Sequence, residues 1–384
     1  MTETDRVDER DTMFARMARE PGTREYEDYY ARRPEYRDAD DHLRALPPLF
    51  AEGGRCYDRE VCGEASRLFA AIDTLHIDAV LVEDWKHRLG GATGLKTGGP
   101  TAIGPKTGGP TAIGLKTGGA TATAVLKEMA RQLGAVDAGC AAIDPAFVYT
   151  HKGRFSKDYG APVPLDCPSA IVFLVEMDFD EMQQAPRAGV LRESARQYLR
   201  AARIGKTIEA ALASAGWRAR AQYDAHYDVM LVPLAIAAGL GELGRNNLLV
   251  AHRFGSRVRI GAVTTDCPLD GDRPVSIGVD RFCETCRKCA DNCPSRALEA
   301  GSKQDVRGVR KWPTGVERCY GYWRAVGTDC GICMAACPFS HRDTWFHNLV
   351  RWCVRSKPDL DRAALFFDDL VYSRKWKRAP ADRA

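Results

Sequence analysis

The residues with the clearest capacity for chemistry in this chain are cysteines. There are fourteen in 384 residues, and eight of them fall between positions 283 and 337. The first run reads Cys283-Glu-Thr-Cys286-Arg-Lys-Cys289-Ala-Asp-Asn-Cys293-Pro294, which is the C-x2-C-x2-C-x3-C-P spacing of a two-cluster iron–sulfur loop. The second has Cys319, then ten residues, then Cys330-Gly-Ile-Cys333-Met-Ala-Ala-Cys337-Pro338. Short spacings let one loop wrap three corners of a [4Fe–4S] cubane, and the cysteine before each proline reaches over to the other cluster. On that logic Cys283, Cys286, Cys289 and Cys337 hold one cluster, and Cys319, Cys330, Cys333 and Cys293 hold the other. Such clusters are one-electron carriers, so this part of the chain is built to move electrons. Zinc also accepts C-x2-C ligands, but it needs neither the Cys-Pro endings nor the three-plus-one exchange. Cys56, Cys62, Cys140, Cys167, Cys267 and Cys353 show no ligand spacing and read as buried or incidental thiols.

A second constellation is glycine-rich. Gly239-Leu-Gly241-Glu-Leu-Gly244 matches G-x-G-x-x-G, with Asp266 at the distance of a ribose-binding acid. The dinucleotide fingerprint requires a strand before and a helix after. Here Pro233 opens a helix before the glycines, and Arg245-Asn246-Asn247 come after them, so the context argues against NAD. The glycines instead suggest a close backbone approach to something flat or bulky.

These groups must be positioned by a fold of mixed elements. Residues 1–89 read as mainly helical and amphipathic, with Tyr26, Tyr29, Tyr30 and Tyr36 suited to packing. Residues 90–123 contain a decapeptide repeat (GLKTGGPTAI, GPKTGGPTAI, GLKTGGATAT) whose Gly, Thr and Pro density cannot bury a core, so a loop is expected. Its recurring Lys96, Lys106 and Lys116 fit no Walker pattern. Residues 124–275 read as an α+β domain, with a helix ending at Gly134, strands near 136–143, 169–177 and 257–266, and a long helix over about 187–215 stopped by Gly216. The apolar stripe of that helix runs Leu191, Ala195, Tyr198, Ala202, Gly205, Ile208 and Leu212. Residues 276–345 form the cluster module and 346–384 a C-terminal segment that ends in a basic tail containing Arg374, Lys375, Lys377 and Arg378. No regular βαβ alternation is visible.

Composition restricts the function classes. A net charge of +4 with 28% charged residues implies no nucleic-acid partner. The polar N-terminus offers no targeting segment, and no window reaches the ~18 consecutive apolar residues of a membrane span, so a cytoplasmic protein without a membrane anchor is expected.

From about residue 165 onward the chain resembles the reductive dehalogenase family. The resemblance rests on GLGELGRNNLLV, RVRIGAVTTDCPL, FCETCRKCADNCPSRAL, CYGYWRAVGTDCGICMAACPFSH, HNLVRW and the late DDLVY. It implies a nitroreductase-like corrinoid-binding core followed by a ferredoxin-like module with two [4Fe–4S] clusters, hence a cobalamin-dependent oxidoreductase that removes halide from an organohalide. The turn containing Gly239, Gly241 and Gly244, with Arg245 and Asn246, would lie against the corrin ring. The family uses a tyrosine supported by a basic residue as proton donor. By position in the long helix this is Tyr198, with Tyr223 and Tyr227 as rivals. Arg257 and Arg259, on one face of a strand by period-two alternation, could each supply the cation, and Arg259 is preferred. With no reductase extension evident, a separate electron donor such as ferredoxin or flavodoxin is implied. An epoxyqueuosine reductase-like tRNA-modifying enzyme and a non-catalytic iron–sulfur electron carrier are the alternatives.

Overall fold

The computed structural model describes residues 6–93 and 121–376, so most of the decapeptide repeat, with Lys96, Lys106 and Lys116, and the tail residues Lys377 and Arg378 lie outside the described residues. The organising element is a four-stranded antiparallel sheet. Its strands are β1 (Asp137–Ala142), β2 (Ser169–Glu176), β3 (Ala219–Gln222) and, after the short hairpin β4 (Glu242–Leu243) and β5 (Leu249–Val250), β6 (Val258–Thr265). The spatial order is β1-β2-β6-β3.

The apolar run of β2 has no polar alternation because both faces of the strand are covered. Ile171, Phe173 and Val175 point into one core, shared with the helices Ala122–Gln132 and Ala188–Ser214. Ala170, Val172 and Leu174 point into a second core beneath the helix Leu231–Ala237. Register fixes what crosses the sheet: Phe173 lies opposite Gly261, and Val175 opposite Arg259. A Cβ at Gly261 would stand 2.5 Å from two ring carbons of Phe173, so glycine there makes room for the aromatic ring.

The long helix runs Ala188–Ser214 and stops where Gly216 takes φ +88°, a left-handed value that carries no Cβ penalty in glycine. Its Ala201, Ile204, Ile208, Ala211 and Leu212 are buried against the sheet, whereas Tyr198 remains partly accessible.

The N-terminal helices wrap both the sheet domain and the cluster module. Tyr26, Tyr29 and Tyr30 form a small core of their own. Arg16 is buried against Asp40 (2.6 Å) and reaches Glu317 of the module at 2.9 Å. Arg324 of the helix Val316–Val326 answers by donating to the carbonyl of Pro47 at 2.6 Å. The chain closes with two helices, Trp345–Ser356 and Asp361–Tyr372, packed over the module. Among the described residues no helix is long and apolar enough to cross a membrane.

Candidate redox and proton-transfer site

The first cysteine run is folded by one abrupt turn. The helix Val279–Cys286 ends at Arg287, whose φ of +54° redirects the chain into the short helix Lys288–Asp291. That turn brings Cys283, Cys286 and Cys289 around one cavity, which Cys337 completes from the second run. The cavity is also lined by Gly244, Arg245 and Phe339. The second run turns the same way, through Cys330 (φ +58°) and Gly331 (φ +73°). Cys333 stands within electrostatic reach of Cys330, Cys319 and Cys293, so the remaining four cysteines gather as a second group. Cys289 senses Cys333 as well as its own partners, which puts the two groups side by side.

The thiols of Cys283, Cys286, Cys289 and Cys337 in the first group and of Cys319, Cys330 and Cys333 in the second are raised above the ordinary range. Burial is the main cause, and neighbouring sulfurs add to it. Cys283 is pushed up to about 12 by burial and then by Cys337, Cys330 to about 12 and Cys319 to about 11. Four buried thiols with mutually repelling thiolates suit a cationic iron–sulfur core, which takes up their charge. The donor set and the cavity therefore fit a cluster. Among the described residues no three His, Cys, Asp or Glu side chains converge closely enough to hold a single metal ion.

The glycine-rich turn adjoins the first group. Gly239, at φ +74°, ends the helix Leu231–Ala237, and a Cβ there would meet the carbonyl oxygen of Arg273 at 2.6 Å. A Cβ at Gly241 would meet the carbonyl oxygen of Val250 at 2.3 Å. One at Gly244 would meet Asn246 Oδ1 at 2.7 Å. The close approach these glycines permit is to the chain itself. They lead into the β4–β5 hairpin and not into a helix, which removes the dinucleotide reading. Arg245 turns toward the cluster module, donating to the carbonyls of Cys283 (3.0 Å), Glu299 (2.9 Å) and Gly301 (3.0 Å), with its guanidinium 4.3 Å from the Trp312 ring centre. Asn246 is buried and donates to Ser256 Oγ.

Tyr198 and Arg259 come from different elements and meet. The guanidinium carbon of Arg259 lies 4.6 Å from the Tyr198 ring centre. Arg259 donates to Ser194 Oγ at 2.6 Å and to Asp329 at 3.2 Å, and Ser194 also donates to Asp329. Arg259 Nε and Asp329 Oδ1 are buried without a partner. Around them stand Arg154, Asp224 and Tyr227, all within electrostatic reach of Tyr198 or of one another. Burial raises the Tyr198 phenol, and Arg259 pulls it back down. Burial likewise holds the Asp224 carboxyl above its usual range, opposed by Arg154 and then Arg259.

Arg257 lies elsewhere. It is fully buried, pairs with Glu176 at 2.8 Å and donates to the Ser340 carbonyl at 2.7 Å, joining the sheet to the module. Tyr223 packs with Ile72 and Ala202, and its ring stacks on His226. Tyr227 faces Tyr149 at 6.4 Å. Asp266 accepts from the Arg218 backbone N–H at the strand end.

Sequence reasoning passed over Arg154, Ser194 and Asp329. Asp329 carried one usable signal, its place immediately before the ligand-spaced Cys330, whose thiol it influences. Arg154 sits in irregular chain and offered none.

Residues 282–341 match the family model described as a 4Fe-4S dicluster domain. The chain is 32% identical over 216 residues to the tetrachloroethene reductive dehalogenase of Sulfurospirillum multivorans, covering 54% of this chain and 43% of that protein. It is 30% identical over 292 residues to the tetrachloroethene reductive dehalogenase of Desulfitobacterium hafniense, covering 64% and 52%. The solved structure of the catabolic reductive dehalogenase NpRdhA superposes with a TM-score of 0.64 at 25% identity, covering 88% of this chain and 47% of that one. The chain spans about half the length of the curated relatives it matches.

Proposed function

From this similarity to reductive dehalogenases we propose that the protein is a cobalamin-dependent iron–sulfur oxidoreductase that replaces the halogen of an organohalide by hydrogen. The reaction consumes two electrons and one proton per halide released. When bound, the two [4Fe–4S] clusters would supply single electrons and cobalamin a low-valent cobalt to engage the halogen. The single observation that carries the reading is the contact between Tyr198 and Arg259 beside the residue that precedes Cys330.

Each side chain then has a task. The Tyr198 phenol carries its proton at neutral pH, as phenols do, and burial raises its pKa further, so the proton is held where it is needed. The Arg259 guanidinium over the ring stabilises the phenolate left after transfer. Ser194 and Asp329 fix that guanidinium in place. Arg259 Nε and Asp329 Oδ1, buried and unpartnered, are groups that a bound corrinoid or substrate could satisfy. The sheet with its two covering helical layers would be the nitroreductase-like core. Electrons would come from a ferredoxin or flavodoxin. Fourteen cysteines suit the reducing cytoplasm, where thiols stay free to bind metal.

The test begins with protein reconstituted anaerobically with iron, sulfide and cobalamin. About eight irons and one cobalt per chain are expected, with halide release that Tyr198→Phe abolishes while cofactor content stays unchanged. About eight irons without retained cobalt would leave only an electron carrier. Cobalt retention with turnover of an epoxyqueuosine-containing tRNA and none of organohalides would replace the dehalogenase reading with the tRNA-modifying one.

A further inference from the structure

The two C-terminal helices have unlike faces. Inward, Val354 and Leu365 pack with Phe282, Phe339 and Cys286 over the first cysteine group. Asp368 pairs there with Lys288 and lies 2.6 Å from His341 Nε2, and Arg374 donates to the Cys286 carbonyl at 2.9 Å. Outward, the same helices expose Trp345 (79%), Trp352 (52%), Phe366 (64%), Phe367 (60%) and Leu370 (71%). Five large apolar side chains exposed on two packed helices exceed the scattered single exposures of an ordinary surface.

Charge is sorted in the same way. The acids Asp361, Asp368 and Asp369 are turned inward onto Arg281, Lys288 and Arg374. Arg355, Lys357, Arg362 and Lys375 are exposed. Among the described residues none of these four has an ion-pair partner. The aromatic face therefore has a mainly basic rim, in which the exposed acid Asp359 stands among these four exposed cations.

We propose that this face is the docking surface for an acidic one-electron carrier protein, which reduces the cluster held by Cys283, Cys286, Cys289 and Cys337. The proposal rests on the cluster assignment and the dehalogenase reading above. In each encounter the reduced carrier loses one electron and the cluster gains it, so two encounters supply the pair that halide removal consumes. Position favours this occupant. The face lies directly over the first cysteine group, whereas Tyr198 and Arg259 adjoin the second through Asp329 and Cys330. The order carrier, first cluster, second cluster, reaction site is thus built into the fold. Complementary charge speeds and orients such encounters, and exposed aromatics supply the contact core. A second copy of this chain would bring two basic rims together, which is repulsive. An anionic membrane would also accept aromatics with a basic rim, but it would give no reason for the face to lie over a cluster.

The test uses the reconstituted full-length protein, with cluster reduction followed by stopped-flow absorbance. A reduced acidic ferredoxin and flavodoxin hydroquinone serve as probes, and dithionite as a small-molecule control. The double substitutions Arg355→Glu with Arg362→Glu, and Trp352→Ser with Phe366→Ser, are each expected to slow reduction by the carriers at least tenfold. Reduction by dithionite and iron content should not change, and the wild-type rate should fall with added salt. Carrier-driven rates that stay at wild type in both variants would overturn the proposal. So would variants that lose only binding to phosphatidylglycerol vesicles, or only self-association, while accepting electrons normally. Because the readout is cluster reduction, normal carrier docking without halide release would leave this surface standing and sink the dehalogenase reading.

Discussion

Replacing Arg245 by methionine should lower the reduction potential of one cluster and leave the other nearly unchanged. Arg245 is 3% exposed and lines the cavity between Cys283, Cys286, Cys289 and Cys337. Its hydrogen bonds go to three backbone carbonyls and its flat face to Trp312, and among the described residues no carboxylate pairs with it. A buried cation stabilises the reduced, more negative cluster. At ~7 Å and an effective dielectric of ~20, one charge is worth ~2.4 kcal/mol. For a one-electron couple that is ~100 mV, at 59 mV per tenfold in the equilibrium constant. Among the described residues no cation acts on Cys319, Cys330 or Cys333 of the second group, and the charged neighbour there is Asp329, beside Cys330. The assay is a potentiometric titration of the reconstituted protein followed by electron paramagnetic resonance, which resolves the two clusters. Loss of the three hydrogen bonds costs ~1–3 kcal/mol of stability, so iron content is measured alongside, and Arg245→Lys, which keeps the charge, should retain most of the potential. A methionine variant with full iron and both potentials within ~20 mV of wild type, against an expected ~100 mV, would refute the electrostatic reasoning. Weakened corrinoid binding at unchanged potentials would put Arg245 at the corrin ring instead.

The same geometry sets three further outcomes. Cys319→Ser, which removes one ligand of the second cluster, should reduce iron from about eight to about four per chain, with the signal of the first cluster retained. Asp224→Asn should raise the melting temperature at pH 8. A buried carboxyl with a raised pKa loses stability as pH climbs from its unfolded value through its folded one, so the gain should shrink toward pH 4, and a gain that grew on acidification would contradict the assignment. Gly261→Ala forces a methyl against the buried Phe173 ring and should cost ~1–3 kcal/mol, seen as a lower melting temperature with unchanged iron content.

Several features were legible in the residues because their causes are local. The spacing of Cys283, Cys286 and Cys289 predicts that they face one cavity, because a few residues of chain cannot carry them far apart, and the structure gathers them there. The apolar run at 169–177 and the three-and-four stripe along 187–215 predict a buried strand and a long helix, observed at Ser169–Glu176 and Ala188–Ser214. Even the closeness of Tyr198 and Arg259 was anticipated, although only by way of the family resemblance.

Other features depend on where distant elements meet. Period-two alternation made Arg257 and Arg259 equivalent, yet one pairs with Glu176 and the other covers a tyrosine. Arg245 and Asn246 read as corrinoid contacts from their place after the glycines, and packing turned Arg245 toward the cluster module. Arg154 and the aromatic outer face of the last two helices had no local signature of role, and Asp329 had only its place before Cys330. A buried charge takes the partner that the fold brings within a few ångströms, and that choice is made by contacts between residues tens to hundreds of positions apart.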